Sequence, residues 1–218
     1  MKRIVYAAIA AFGLSVSPLA SQADVLFDQT GASGGTLTFD GNLGSSLLGT
    51  GITFDEIVDS DLPATLACAG CLFNFTTGPA TSLGPDLWEF GPSGSFTIIG
   101  DAFDGATQEN DTNTIASGTI DASNFSSLGT LNSGLNIQVG SLVLDTGVAD
   151  FFGEPADGWD FVNSQVALQG CDYNGSAFNC KVTNADLDAI QVSEPHVALL
   201  LGLGLMGVGY ASRKRRTK

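Results

Sequence analysis

The sequence predicts an all-β body, a β-sandwich or jelly-roll, with an N-terminal signal helix before it and a single C-terminal transmembrane helix after it. Three observations lead there. Between Asp24 and Val192 the apolar residues come in short runs, and Leu135-Asn136-Ile137-Gln138-Val139 and Ile52-Thr53-Phe54 alternate with period two. Dipeptides suited to hairpin turns punctuate those runs: Asp40-Gly41, Asp104-Gly105, Asp157-Gly158 and Asn174-Gly175. No stretch of the body carries a long apolar stripe at i, i+3, i+4 bounded by helix caps.

The candidate strands, in order, are Thr36 to Phe39, Gly51 to Val58, Leu72 to Thr76, Leu87 to Phe90, Ser95 to Ile99, Gly118 to Ile120, Asn136 to Asp145 and Asp160 to Gln169. Asn184 to Ala189 reads as a short helical turn. Many short strands joined by glycine-rich turns suit a sandwich. A solenoid is the alternative, but its only near-repeat is Thr38-Phe39-Asp40 with Thr53-Phe54-Asp55, and two copies do not make an array. No linker divides the body, so residues 24–192 read as one domain.

Charge is distributed unevenly along the 218 residues. Seven of the 8 basic residues lie in the first three positions or the last six, and all 23 acids lie between Asp24 and Glu194 with Lys181 as their one basic companion. Such a body cannot neutralise a phosphate backbone, which excludes nucleic acid as a partner. The chain's one histidine, His196, lies outside the body, so no imidazole is available there for a nucleophile system or a typical catalytic zinc. The body is nevertheless rich in Phe and other apolar residues, so it should fold.

Both ends read as export machinery. Met1-Lys2-Arg3, an apolar run of 13 residues from Ile4 to Val16, and Ser21-Gln22-Ala23 form the three parts of a signal peptide, with cleavage expected between Ala23 and Asp24. At the other end an uncharged run of fifteen residues, Val197 to Ala211 with Leu205 near its centre, precedes Arg213, Lys214, Arg215 and Arg216. As a helix it would span about 22 Å, adequate for a bilayer core once the flanking bases snorkel. The basic end would stay cytoplasmic.

Ser193-Glu194-Pro195, the Leu-Gly-Leu-Gly-Leu stretch from 201 and the Arg-Lys-Arg-Arg end together resemble the PEP-CTERM sorting signal, over residues 193–218. Ser193 stands where the family usually has Pro; Glu194 and Pro195 match. The resemblance implies a bacterial host and processing by an exosortase, a membrane enzyme that would cleave near the motif. The protein would then be released or re-attached at the outer surface, and the helix would be a transient tag. The resemblance says nothing about the activity of the body.

Cys68, Cys71, Cys171 and Cys180 permit three pairings. In an exported protein two disulfides are expected, and the local solution joins Cys68 to Cys71 and Cys171 to Cys180. A redox role for Cys68-Ala69-Gly70-Cys71 would need a helix N-terminus or a nearby base, and neither is evident. The acids cluster as Asp55-Glu56 with Asp59 and Asp61, Asp101 with Asp104, Glu109 with Asp111, and Glu154 with Asp157 and Asp160. Close-set oxygen ligands suit Ca²⁺, with Asp101, Asp104, Glu154, Asp157 and Asp160 as the candidates, although none of these runs matches a calcium-loop pattern. A solvated acidic face is the simpler reading. Trp88, Trp159, Phe151 and Phe152 suit sugar stacking or, more simply, core packing.

The expectation is therefore an exported surface or extracellular-matrix protein without enzymatic activity, structural or adhesive, associated with exopolysaccharide. A carbohydrate- or calcium-binding module is the alternative, and a glycoside-active enzyme, which needs only two carboxylates, the third.

Overall fold

The computed structural model describes residues 24–30, 34–59, 64–84, 87–127 and 133–191. The expected signal segment, residues 1–23, and the expected transmembrane helix and sorting tail, residues 193–218, lie outside these residues. Among the described residues no helix is long and apolar enough to cross a membrane.

Eleven strands and one short helix make up the body. They are β1 (Asp24–Asp28), β2 (Thr36–Phe39), β3 (Ser46–Asp59), β4 (Thr65–Leu83), β5 (Leu87–Phe90), β6 (Gly94–Asp104), β7 (Thr107–Gln108), β8 (Thr114–Ser127), β9 (Ser133–Leu144), α1 (Thr146–Phe152), β10 (Trp159–Asn174) and β11 (Ala177–Gln191). All-β is correct, and β2 and β5 coincide with the expected strands. Three of the four hairpin signals hold, at Gly41, Gly105 and Gly175, whereas Gly158 lies in the loop between α1 and β10; all four glycines have positive φ. Asp104 and Asn174 end β6 and β10 at hairpins, facing Thr107 and Ala177.

The arrangement of strands differs from two stacked sheets. Every pairing is antiparallel, and the ladder runs β3, β4, β6, β8, β9, β10, β11 and back to β3. Two short strands bridge that last gap, β1 at one end and β2 at the other, each hydrogen-bonded to both β11 and β3. The sheet therefore closes on itself as an up-and-down ring, which leaves no long free edge. The long strands can bend around it because register shifts interrupt β3, β4, β8 and β10.

Inward positions alternate with outward ones, and the interior is a single packed core. Phe27, Phe54, Phe73, Phe75 and Phe96 form one chain of touching rings, with centroids 5.1–5.9 Å apart. Phe39, Phe90, Trp88, Phe125 and Phe178 form another toward the β10–β11 hairpin. Truncating a buried Phe costs about 3–5 kcal/mol, so these rings carry much of the stability. Most of the large apolar residues described face inward, with Leu43, Leu48, Leu87 and Val143 among the exposed exceptions.

Two readings need correction. Asn184 to Ala189 is not a helical turn but part of β11, with Ala185, Leu187 and Ala189 buried. A helix also forms where none was expected. Asp145 caps α1 by accepting from the Gly147 N–H, and Gly153 ends it in the left-handed conformation. The helix buries Val148, Ala149 and Phe152.

Candidate functional site

The cysteines pair locally, Cys68 with Cys71 and Cys171 with Cys180, and no described cysteine is free. Each bridge pins a bulge. Gly70, with φ 66°, lets β4 loop outward between its two cysteines. Gly170, with φ 60°, does the same just before Cys171. Opposite the first bridge Gly100 has φ 145°, and a Cβ there would lie 2.7 Å from the Cys71 Cα. Cys71 is thus buried against the backbone of β6 with no helix N-terminus beside it.

Asp61 lies outside the described residues, and among those described the expected acid clusters do not assemble. Among the described residues no three His, Cys, Asp or Glu side chains converge on a point that could hold a metal. Asp101 accepts a hydrogen bond from Gln108 Nε2 at 3.2 Å, and Asp104 lies exposed at the β6–β7 hairpin. Glu154 and Asp157 fall in the loop between α1 and β10. Asp160 is the second residue of β10, where its backbone faces Ile190. The five calcium candidates thus fall on three elements: Asp101 and Asp104 on β6, Glu154 and Asp157 in the α1–β10 loop, and Asp160 on β10. The loop holding Glu109 and Asp111 is organised by a residue the sequence did not single out. Asp145 accepts from the Asp111 N–H at 2.8 Å, the Thr112 N–H at 3.0 Å and the Thr112 hydroxyl at 2.9 Å, besides its cap bond. Burial works to raise its pKa, but these donors outweigh it and hold the carboxyl below the ordinary range.

The sequence also missed an acidic seam where the first strand meets the last. Asp24 and Asp28 alternate outward on β1, and Asp186 and Asp188 do so on β11. The register sets Leu26 opposite Asp188, which brings Asp24 to Asp188 on the diagonal, and its next step brings Asp28 directly opposite Asp186. The hydrogen bond that the protonated Asp188 carboxyl donates to Asp24, burial and the Asp24 charge push Asp188 up to about 6. Burial first, then Asp28, raises Asp186 as well. No single stretch of sequence contains these pairs, because they join residues about 160 positions apart through ring closure.

A groove of about 630 Å³ lies at the opposite end of β11, on the outer face. Asp40, Asp172, Asn174 and Asn179 surround a floor that includes Phe39 and Leu48. Asp40 is set by the Asn42 N–H at 3.0 Å and the Ser45 hydroxyl at 2.8 Å, which hold its carboxyl below the ordinary range. The tryptophans are core residues. Trp88 Nε1 donates to the Ser176 carbonyl and Trp159 Nε1 to that of Pro155, and both rings are buried.

No protein-family model matches this chain, and neither does any curated protein or solved structure. The fold and these residues are therefore the basis for any functional reading.

Proposed function

We propose that this chain is an exported bacterial surface or extracellular-matrix protein, structural or adhesive, delivered by its C-terminal sorting tail and associated with exopolysaccharide. One observation carries the reading. Asp24 pairs with Ile190, so the chain enters and leaves the body side by side. The expected leader cleavage falls at the first residue of β1, and the sorting motif begins two residues after β11 ends. Both processing events would thus act at one pole without touching the core. The remaining body is a closed, acid-coated shell held by two short disulfides, a build suited to an oxidising exterior.

Fractionation of cells with and without the exosortase tests this. The protein should be at the surface or in the medium when the enzyme is present, and retained in the membrane when it is absent. An identical distribution in both would overturn the sorting reading.

The groove favours a second reading, a carbohydrate-binding module. It lies about 45 Å along β11 from Gln191, on the pole away from the attachment point. Its carboxylates and amides around an apolar floor suit the hydroxyls of a neutral sugar. A neutral polysaccharide that raises the melting temperature, with Asn179→Ala removing the rise, would favour this reading over a purely structural one.

A further inference from the structure

Asp24 has two features that meet at one point. It is the first residue of β1, where its carboxyl lies against that of Asp188, and it follows the bond at which the leader is expected to be cut. We propose that removal of the leader is itself a stabilising step, because it creates an α-ammonium group on Asp24 that serves as the built-in counter-ion of the acidic seam. This rests on the export reading. Hydrolysis of the Ala23–Asp24 bond consumes one water, leaving a carboxylate on Ala23 and an amine on Asp24 that is protonated at neutral pH.

The surroundings make that one charge matter. Asp28 shares β1, and Asp186 and Asp188 lie on β11. Glu56 comes from β3 as the register partner of Asp28, whereas Asp59, the partner of Val25, is buried on the inner face. Asp160 of β10 faces Ile190, itself the partner of Asp24. All these ionisable groups are acids. The lone base of the body, Lys181, is seven residues from Asp188 along β11, about 23 Å away. The new ammonium would be the seam's first cation and is fixed by covalent geometry next to the Asp24 carboxyl. Asp188, held near 6 by Asp24 while residue 24 carries an amide nitrogen, is the group that should report its arrival. The precursor would carry a repelling closure between its first and last strands, and the mature protein a compensated one.

The test uses the full chain, exported and processed in cells, beside a version with Gly-Ser-Gly-Ser inserted between Ala23 and Asp24. Processing of the insertion protein leaves its ammonium up to about 13 Å from the seam. Each is also made with Asp188→Asn. Melting temperatures at pH 7 and the titration of Asp188 by NMR are then compared, after N-terminal sequencing. The parental protein should melt about 2–4 °C higher than the insertion protein, and its Asp188 should titrate at least about one unit lower. Both differences should vanish with Asp188→Asn, the titrating group there being gone. Equal melting temperatures with Asp24 confirmed as N-terminus would overturn the counter-ion proposal alone, as would an equal gap in the Asp188→Asn pair. An N-terminus elsewhere would overturn it together with the cleavage boundary.

Discussion

Asp145 shows how much one side chain can organise. Its two oxygens receive four hydrogen bonds, which tie the loop before β8 to the start of α1. Asp145→Ala should lower stability by about 2–4 kcal/mol, as a cap and buried donors are lost together. Urea denaturation measures it, and a loss near zero would contradict the assignment. The sequence could reveal part of this residue scale. The Asp-Gly and Asn-Gly turns were legible because glycine supplies the positive φ that a tight turn needs. The cysteine pairing was legible because each pair is close along the chain. Asp145 was not, since its partners lie some 33 residues upstream. The acid pairs of the seam were hidden for the same reason, and the calcium candidates, close-set in sequence, do not converge in threes among the described residues.

Phase explains most of the misread elements. In β11 the buried positions run 178, 180, 182 and then 185, 187, 189. The pairing skips a residue there, from Val182 opposite Leu168 to Asn184 opposite Ala167, and the slip breaks the alternation a strand search relies on. β4 was seen only as Leu72 to Thr76, because Cys68, Gly70, Gly78 and Pro79 look like loop residues although they form bulges in one long strand. α1 was too short to show a stripe. The bridges within these elements should differ in weight. Cys171→Ala with Cys180→Ala opens the longer loop and should cost about 2.5–3 kcal/mol, against about 2 for Cys68→Ala with Cys71→Ala. Chemical denaturation of the two double variants checks the order, and a larger loss for the second pair would contradict it. The seam adds a pH dependence. Because the folded pKa of Asp188 lies above its unfolded value, the folded state binds more protons between about pH 4 and 6. With residue 24 inside a longer chain, stability should therefore fall as pH rises through that window, and Asp188→Asn should flatten the slope. Asp145 acts in the opposite sense: its lowered pKa contributes stability above about pH 4 that is lost in stronger acid. Melting temperatures from pH 3 to 8 test both, and a curve rising through pH 4–6 would contradict the seam.

Closure of the ring is the property of the whole molecule that sequence could not supply, since the same alternating strands can make two sheets or one ring, and only long-range pairing decides. Net charge was legible. Residues 24 to 194 carry a formal charge of −22, and their mutual repulsion opposes the compact state. Salt near 0.15 M, with a Debye length of about 8 Å, should relieve it and raise the melting temperature. Because no three His, Cys, Asp or Glu side chains converge on a metal-holding point among the described residues, Na⁺ and Ca²⁺ at matched ionic strength should act alike. A calcium excess lost in Asp104→Asn or Asp157→Asn would restore the binding-module alternative. The ring also brings the start of β1 and the end of β11 side by side at the seam, so removal of the proposed leader and tail should leave the core undisturbed. The most direct measurement of that account is the intact mass of surface-exposed protein under non-reducing conditions. It should correspond to a chain beginning at Asp24, holding two disulfides and lacking Leu199 to Lys218. A mass that retains Arg213 to Lys218 would contradict it and leave the tail as a permanent anchor.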